Sequence, residues 1–257
     1  NLAAESYPLV VQEVAEQLVG EPYAEGLLDQ GEEENLVADL TAFDCVTYVE
    51  NVLSVAQTIK SEDYGYDTYA RTLQDYRYRG GEMDGYCSRL HYFTDWIHNN
   101  AERGNVEDIT RELGGVPFEK EIDFMGTHRD SYPRLASDET YQCILEVEEA
   151  LRDRDLYYVP QDRIDAIEDQ LRPGDIVATA TDLDGLDVTH TGFVYKHADG
   201  RTGFIHASLS GEVKVSPDLS EYVQGVERQI GIIVARPLER SLNPLPDGAS
   251  GRVEGQP

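Results

Sequence analysis

The chain has 257 residues, with 50 Asp and Glu against 21 Lys and Arg, for a formal net charge of −29. That balance excludes a nucleic-acid binder, which needs clustered Lys and Arg for phosphate contacts, and argues against docking on an anionic membrane. A hydrophobic fraction of 40% with 16 Tyr excludes a disordered chain, and no apolar run approaches the roughly 18 residues of a transmembrane segment. Residues 9–19 carry apolar side chains at helical spacing, and Gly20-Glu21-Pro22 stops that helix. Residues 32–34 are three consecutive Glu, a solvated loop or helix start. Residues 41–59 hold the most regular helical pattern, with Cys45, Val49, Val52, Ala56 and Ile59 on one face and Thr41 or Asp44 available as the cap. Residues 64–79 are rich in Tyr and Arg, and Gly80-Gly81 turns the chain. Residues 89–100 predict a further helix carrying Tyr92, Phe93, Trp96 and Ile97.

The second half changes character. After the turn Arg172-Pro173-Gly174-Asp175, residues 176–179, 188–195 and 204–207 predict strands, with Asp199-Gly200 closing a hairpin between the last two. Residues 213–215 and 230–235 add strand. Helices first and an antiparallel sheet second give an α+β class. Residues 1–238 read as a single domain, and residues 239–257, rich in Pro, Gly and Ser, as a flexible tail.

The charge has a pattern of its own. Only Lys60, Lys120, Lys196 and Lys214 are lysines, and the first 59 residues hold twelve Asp or Glu and no Lys or Arg. Dense carboxylates suit molar salt, where screening over about 3 Å suppresses their repulsion. This predicts a halophilic protein that loses structure on dialysis into low salt; the alternative is an ordinary acidic surface. The start, Asn1-Leu2-Ala3-Ala4, lacks an initiator Met and the basic segment of a signal peptide, so a trimmed, mature form is expected. Three Cys without a Cys-x-x-Cys pair exclude a disulfide scaffold and the common zinc spacings. Cys87 and Cys143 could pair in an oxidising compartment or remain buried thiols.

Cys45 falls at a predicted helix start, where backbone N–H groups and the helix dipole favour thiolate. Neighbouring acids oppose that, so a reactive Cys45 needs an imidazole nearby; otherwise it is a core side chain. His190 lies inside an apolar strand, on one face with Val188, Gly192 and Val194, and Gly192 leaves room beside the ring. The Asp199-Gly200 turn folds His206 back toward His190. Nucleophile, base and orienting group are then available, and Cys45 and His190 stand 145 positions apart in the sequence, within the spacing of papain-like enzymes.

At this point the sequence resembles a known family. Gly20-Glu21-Pro22-Tyr23, Phe43-Asp44-Cys45, Leu171-Arg172-Pro173-Gly174-Asp175-Ile176, His190-Thr191-Gly192 and Ile205-His206-Ala207-Ser208 match in order the NlpC-like cell-wall cysteine peptidases and amidases. Residues 44–50, 89–97 and 185–190 look like one subfamily, the N-acetylmuramoyl-L-alanine amidases that act on anhydro-muropeptides. The resemblance covers residues 8–237. It implies a papain-like fold with helical insertions, Cys45 as nucleophile, His190 as general base, His206 as the orienting third member, and Tyr23 beside the oxyanion. It implies no cofactor and a muropeptide substrate, and tilts toward a periplasmic or secreted location; a monomer is expected, although the sequence leaves the oligomeric state open. Where the wider family has Ser after Asp-Cys to hold the amino end of a stem peptide, this chain has Val46, which fits the amidase subfamily better.

Candidate substrate contacts are Asp44, Arg89, His91, Tyr92, Trp96 and His128. Arg89, His91, Tyr92 and Trp96 combine a cation with rings that suit a sugar and a carboxylate, and Thr127-His128 resembles the subfamily in a loop-like stretch. For Trp96 the alternative is a place in the core. Three rival functions remain: cleavage of the γ-D-glutamyl–diamino acid bond by the same triad, a non-catalytic wall-binding module, and a zinc amidase using His128, His190 and His206, which lacks any short ligand motif.

Overall fold

The computed structural model describes residues 2–31 and 33–241. Helix α1 (Tyr7–Gln17) has Pro8 in its first turn, where its missing N–H leaves nothing unpaired, and buries Val10, Val11 and Val14. Helix α2 (Cys45–Ser61) begins where it does because Asp44 and Thr47 cap it reciprocally. The Thr47 N–H donates to Asp44 Oδ1 at 2.7 Å, and the Asp44 N–H donates to Thr47 Oγ1 at 2.9 Å. Thr41, the other candidate cap, instead bonds Asp39. Val49, Val52 and Ala56 are buried as the pattern requires, but so are Tyr48, Glu50, Asn51, Leu53 and Ser54, which makes α2 the central helix.

Helix α3 (Tyr66–Arg77) occupies the Tyr- and Arg-rich stretch. Helix α4 (Phe93–Glu102) starts four residues later than the 89–100 pattern suggests, because Arg89 is extended and pairs with Tyr78. Strands β1 (Val106–Asp108) and β2 (Val116–Pro117), helices α5 (Phe124–Thr127) and α6 (Asp138–Leu151), and β3 (Tyr157–Pro160) follow where no element was expected. Then come β4 (Ile176–Thr181), β5 (Val188–Lys196), β6 (Thr202–Ser208), β7 (Glu212–Ser216), α7 (Leu219–Gly225) and β8 (Gln229–Pro237).

The strands form one antiparallel sheet in the order β2-β3-β8-β4-β5-β6-β7, with β1 also paired to β8. Alternation along each strand sends side chains to two cores. Ile176, Ala178, Phe193 and Ile205 pack with Val49, Val52 and Trp96 on the helical side. Val177, Val194, Phe204 and Val234 pack with Leu219 and Val223 of α7 on the other. Each such aliphatic side chain contributes about 1.5–3 kcal/mol on burial. A third cluster, including Tyr86, Tyr92, Met125 and Ile144, lies at α5 and α6. Cys87 and Cys143 are joined in a disulfide that ties the turn Tyr86–Ser88 to α6.

The tail expected from residue 239 starts out docked. Arg240 donates to Asp75 and Asn105, and its backbone exchanges hydrogen bonds with the Gln57 amide. Residues 242–257 of that expected tail lie outside the described residues. Among the described residues no helix is long and apolar enough to cross a membrane.

Candidate active site

Cys45 is the first residue of α2, half-buried and free. Desolvation pushes its thiol up to about 12, and the Asp44 carboxylate adds to this. The backbone N–H groups of Thr191, Cys45 and Val46 act the other way. The sulfur is therefore protonated at neutral pH, yet donors already face it, and one of them belongs to the residue after His190.

The second half of the site is built by strand register. β5 and β6 pair with Phe193 opposite Ile205 and Val194 opposite Phe204, which brings His190 and His206 side by side. Nε2 of His190 lies 2.7 Å from Nδ1 of His206, the rings nearly perpendicular at 88°. Nε2 of His206 lies 3.1 Å from Ser216 Oγ. Gly192 is required here: a Cβ would lie 2.5 Å from the Ile205 carbonyl oxygen and 2.8 Å from the His206 Cβ. Burial pushes His190 down to about 4. Burial, helped by His190 and Lys214, pushes His206 down to about 3. Both imidazoles are neutral at pH 7.

Two tyrosines flank the sulfur. Tyr23 is held by a bridge to Phe43 and by its N–H donating to the Gly211 carbonyl at 2.9 Å. Burial raises its hydroxyl to about 12, and the charge of a Cys45 thiolate contributes. Tyr222, on α7, was not anticipated. Its ring lies 4.8 Å from His206, 4.9 Å from Phe204 and 6.2 Å from His190. Burial raises its hydroxyl to about 12, the Gln229 side chain opposes this, and Cys45 adds to it. The helix-start pattern Asp218-Leu219-Ser220-Glu221 was the available signal for α7, and Asp218 does cap it.

A pocket of about 220 Å³ opens beside the helix tip, lined by Asp44 and Val46 on either side of Cys45 and by Arg89, His91 and Tyr92. Arg89 is buried, paired with Asp29 at 2.6 Å and Glu34 at 3.3 Å, and rests on the Tyr86 ring. His91 donates through Nε2 to the Tyr86 carbonyl at 2.8 Å, and burial pushes it down to about 3. The Tyr92 hydroxyl donates to Glu148 at 2.7 Å and accepts from the Met125 N–H. The other two candidates lie elsewhere. Trp96 is fully buried, stacked on Phe93 and Tyr76 with Nε1 donating to Glu50, so it is a core side chain with no surface for a ligand. His128 is exposed at the end of α5, stacked on Phe124 with Nδ1 against the Phe124 carbonyl, and does not line this pocket.

No group of three His, Cys, Asp or Glu side chains among the described residues is arranged to hold a metal ion. In the histidine pair, one nitrogen of His190 and both of His206 already have partners.

A family model described as AmiA-like, N-acetylmuramoyl-L-alanine amidase-like, matches residues 13–232. The crystal structure of an N-acetylmuramoyl-L-alanine amidase from Bacteroides uniformis superposes with a TM-score of 0.85 at 30% identity, covering 90% of this chain and 98% of that one. A proposed xylanase from Bacteroides fragilis superposes with a TM-score of 0.82 at 33% identity, covering 87% of this chain and 99% of that one. A Legionella pneumophila protein at 20% identity, TM-score 0.69, covers 91% of this chain and 90% of its own, and shares the fold. No curated protein sequence matches the chain.

Proposed function

We propose, from the premise that the chain belongs to the AmiA-like, N-acetylmuramoyl-L-alanine amidase-like family, that it is a papain-like, NlpC-type cysteine amidase. Its substrate is the amide between (anhydro-)N-acetylmuramic acid and L-alanine in peptidoglycan fragments. The observation that carries this is the 2.7 Å contact between His190 and His206, with the N–H of Thr191, the residue after His190, facing the Cys45 sulfur at a helix tip. In the tautomer where His190 Nε2–H donates to His206, and His206 Nε2–H donates to Ser216, Nδ1 of His190 keeps a free lone pair for the thiol proton.

The raised thiol and lowered imidazole make the resting pair neutral, so the proton moves as sulfur attacks the lactyl carbonyl. The Cys45 N–H and the Tyr23 hydroxyl are the donors for the oxyanion. His190 then gives its proton to the leaving L-alanine amine, and a thioester remains on Cys45. Water, deprotonated by His190, adds to the thioester; the thiol leaves and the sugar acid is released. Val46 presents an apolar wall where an amino end would need a polar one, which favours a sugar on that side over a free stem peptide.

A xylanase reading has less support. Glycoside hydrolysis takes two carboxylates about 5–9.5 Å apart flanking the bond, whereas this helix tip gathers a thiol and two imidazoles. The Cys87–Cys143 disulfide supports an oxidising compartment, the periplasm or the exterior. The same reading takes the protein as a monomer, its acidic surface as adaptation to high salt, and residues 1–238 as one catalytic domain.

The test is mass analysis of digested anhydro-muropeptides. Peptide with free L-alanine plus intact sugar acid is expected, and Cys45→Ala should abolish both while leaving thermal stability in place. Cleavage within the stem peptide would move the reading to the γ-D-glutamyl endopeptidase, and normal turnover by Cys45→Ala would end the cysteine mechanism. Binding without any turnover by the unaltered protein would leave a wall-binding module.

A further inference from the structure

The histidine pair sits inside a cluster of rings. Phe204 and His206 stand two residues apart on β6, so both point to the same face of the sheet, and their rings stack at 4.6 Å and 15°. Phe204 also meets His190 edge-on at 6.0 Å. Tyr222 closes the cluster from α7, its ring centre 4.8 Å from His206, 4.9 Å from Phe204 and 6.2 Å from His190. His206 is thus held between two aromatic rings with His190 at its edge. Phe204, His206 and His190 are buried, whereas Tyr222 is partly exposed, so Tyr222 is the outer member of the four.

Helix α7 has other means of docking. Leu219 and Val223, one turn apart, are fully buried in the core on that side, and the Asp218 side chain caps the helix. The charges around the pair leave its state to solvent access. Lys214 stands opposite His206 in the β6–β7 register, and after burial His190 and Lys214 both oppose protonation of His206. His190 answers to burial alone. The other titratable groups nearby are the Tyr222 hydroxyl on α7 and Cys45 with Asp44 at the tip of α2, while β8 presents the neutral Gln229. In a chain of net charge −29, water at these rings would restore hydration and the pull of many surface carboxylates, and both favour imidazolium. An imidazolium has no lone pair with which to take the thiol proton.

We infer that Tyr222 is a positioning residue: its ring, rather than its hydroxyl, is the outer wall of an aromatic box that keeps water from the histidine pair and holds His206 square to His190. This rests on the amidase reading for its effect on rate, whereas the protonation of the pair can be followed without turnover.

The experiment follows the imidazole nitrogens of His190 and His206 by NMR between about pH 8 and about pH 5. The unaltered protein is expected to keep both rings neutral throughout and to show the N–H shared by the pair protected from exchange with water. Tyr222→Ala should bring the His206 midpoint up into that range, a rise of about two pH units, and the acid limb of kcat/KM should move toward neutrality with it. Tyr222→Phe, which keeps the ring and loses only the hydroxyl, should restore the low midpoint. Tyr222→Gln keeps a good helix former and removes the ring, so it decides the matter if Tyr222→Ala does not fold. Rings that stay neutral throughout in folded Tyr222→Ala or Tyr222→Gln protein would overturn the assignment. So would a Tyr222→Phe protein that titrates as Tyr222→Ala does, or rapid exchange of the shared N–H in the unaltered protein. The expected titrations in a protein that cleaves no muropeptide would leave Tyr222 in place and remove only the amidase function.

Discussion

The sheet that carries the two histidines and the wall that carries the pocket are held by different means. His190 and His206 stand on paired strands, each with apolar neighbours on both sides of the sheet. A one-residue slip would turn either ring to the opposite face, so the cores that fix the register also fix the histidine pair. The pocket wall is made of short turns and extended chain. It is tied by Arg89 to Asp29 and Glu34, by Tyr92 to Glu148, and by the Cys87–Cys143 disulfide. On the proposed mechanism proton transfer then falls to the rigid element, and recognition to segments that need polar ties and a covalent staple to hold still.

The sharpest way to break that contrast is on the sheet. His206→Ala removes the partner of His190 Nε2, and kcat is expected to fall about 10³- to 10⁴-fold with little change in binding to the Cys45→Ala form. A fall of under tenfold would mean that His206 does not orient the base.

Acid should strike both regions together. His190, His206 and His91 are held neutral, near 4, 3 and 3, while an unfolded histidine titrates near 6.5. Protons therefore favour the unfolded chain below about pH 6.5. The stability is complete above that value and is lost as pH falls toward 4. Thermal melts should drop by about 10 °C or more between pH 7 and 4.5. A flat profile would show that these rings are not held neutral.

Reduction acts on the wall alone. The disulfide spans a sequence separation of 56, and opening such a loop costs roughly 2–4 kcal/mol. With dithiothreitol present, KM should rise while kcat stays within about twofold, because the histidine register is untouched. An equal loss in kcat would mean that the two regions are not independent.

The smallest effect is at the junction. Asp44→Asn keeps an acceptor for the α2 cap and removes the charge that helps raise the thiol, so iodoacetamide should alkylate Cys45 a few-fold faster at pH 8 with stability changed by under about 1 kcal/mol. Unchanged alkylation would mean that burial alone sets the thiol.

Much of the sheet was legible because period-two alternation and Gly-containing turns mark β4 to β8 locally. The start of α2 was legible because Asp44 and Thr47 are close in sequence. The region between α4 and β4 was not. Strands β1, β2 and β3 are two to four residues long, too short for alternation to register. Helix α6 buries only Ile144, Glu148 and Leu151, too sparse a face to stand out from its acids. Trp96 shows a different limit: a ring on an amphipathic helix serves a core or a sugar equally well by pattern, and only the stacking of Tyr76 and Phe93 decides. The buried Arg77–Glu50 ion pair was not legible because its partners stand 27 positions apart in the sequence.

The protonated state of Cys45 bears on how the proposed amidase would survive in an oxidising compartment. The anion of sulfur is what attacks peroxides and foreign disulfides, and a sulfhydryl held this far above neutrality supplies almost none. On the proposed mechanism Cys45 then waits in an oxidising milieu without scrambling or over-oxidation, and becomes reactive only as sulfur adds to a bound carbonyl and its proton passes to the imidazole.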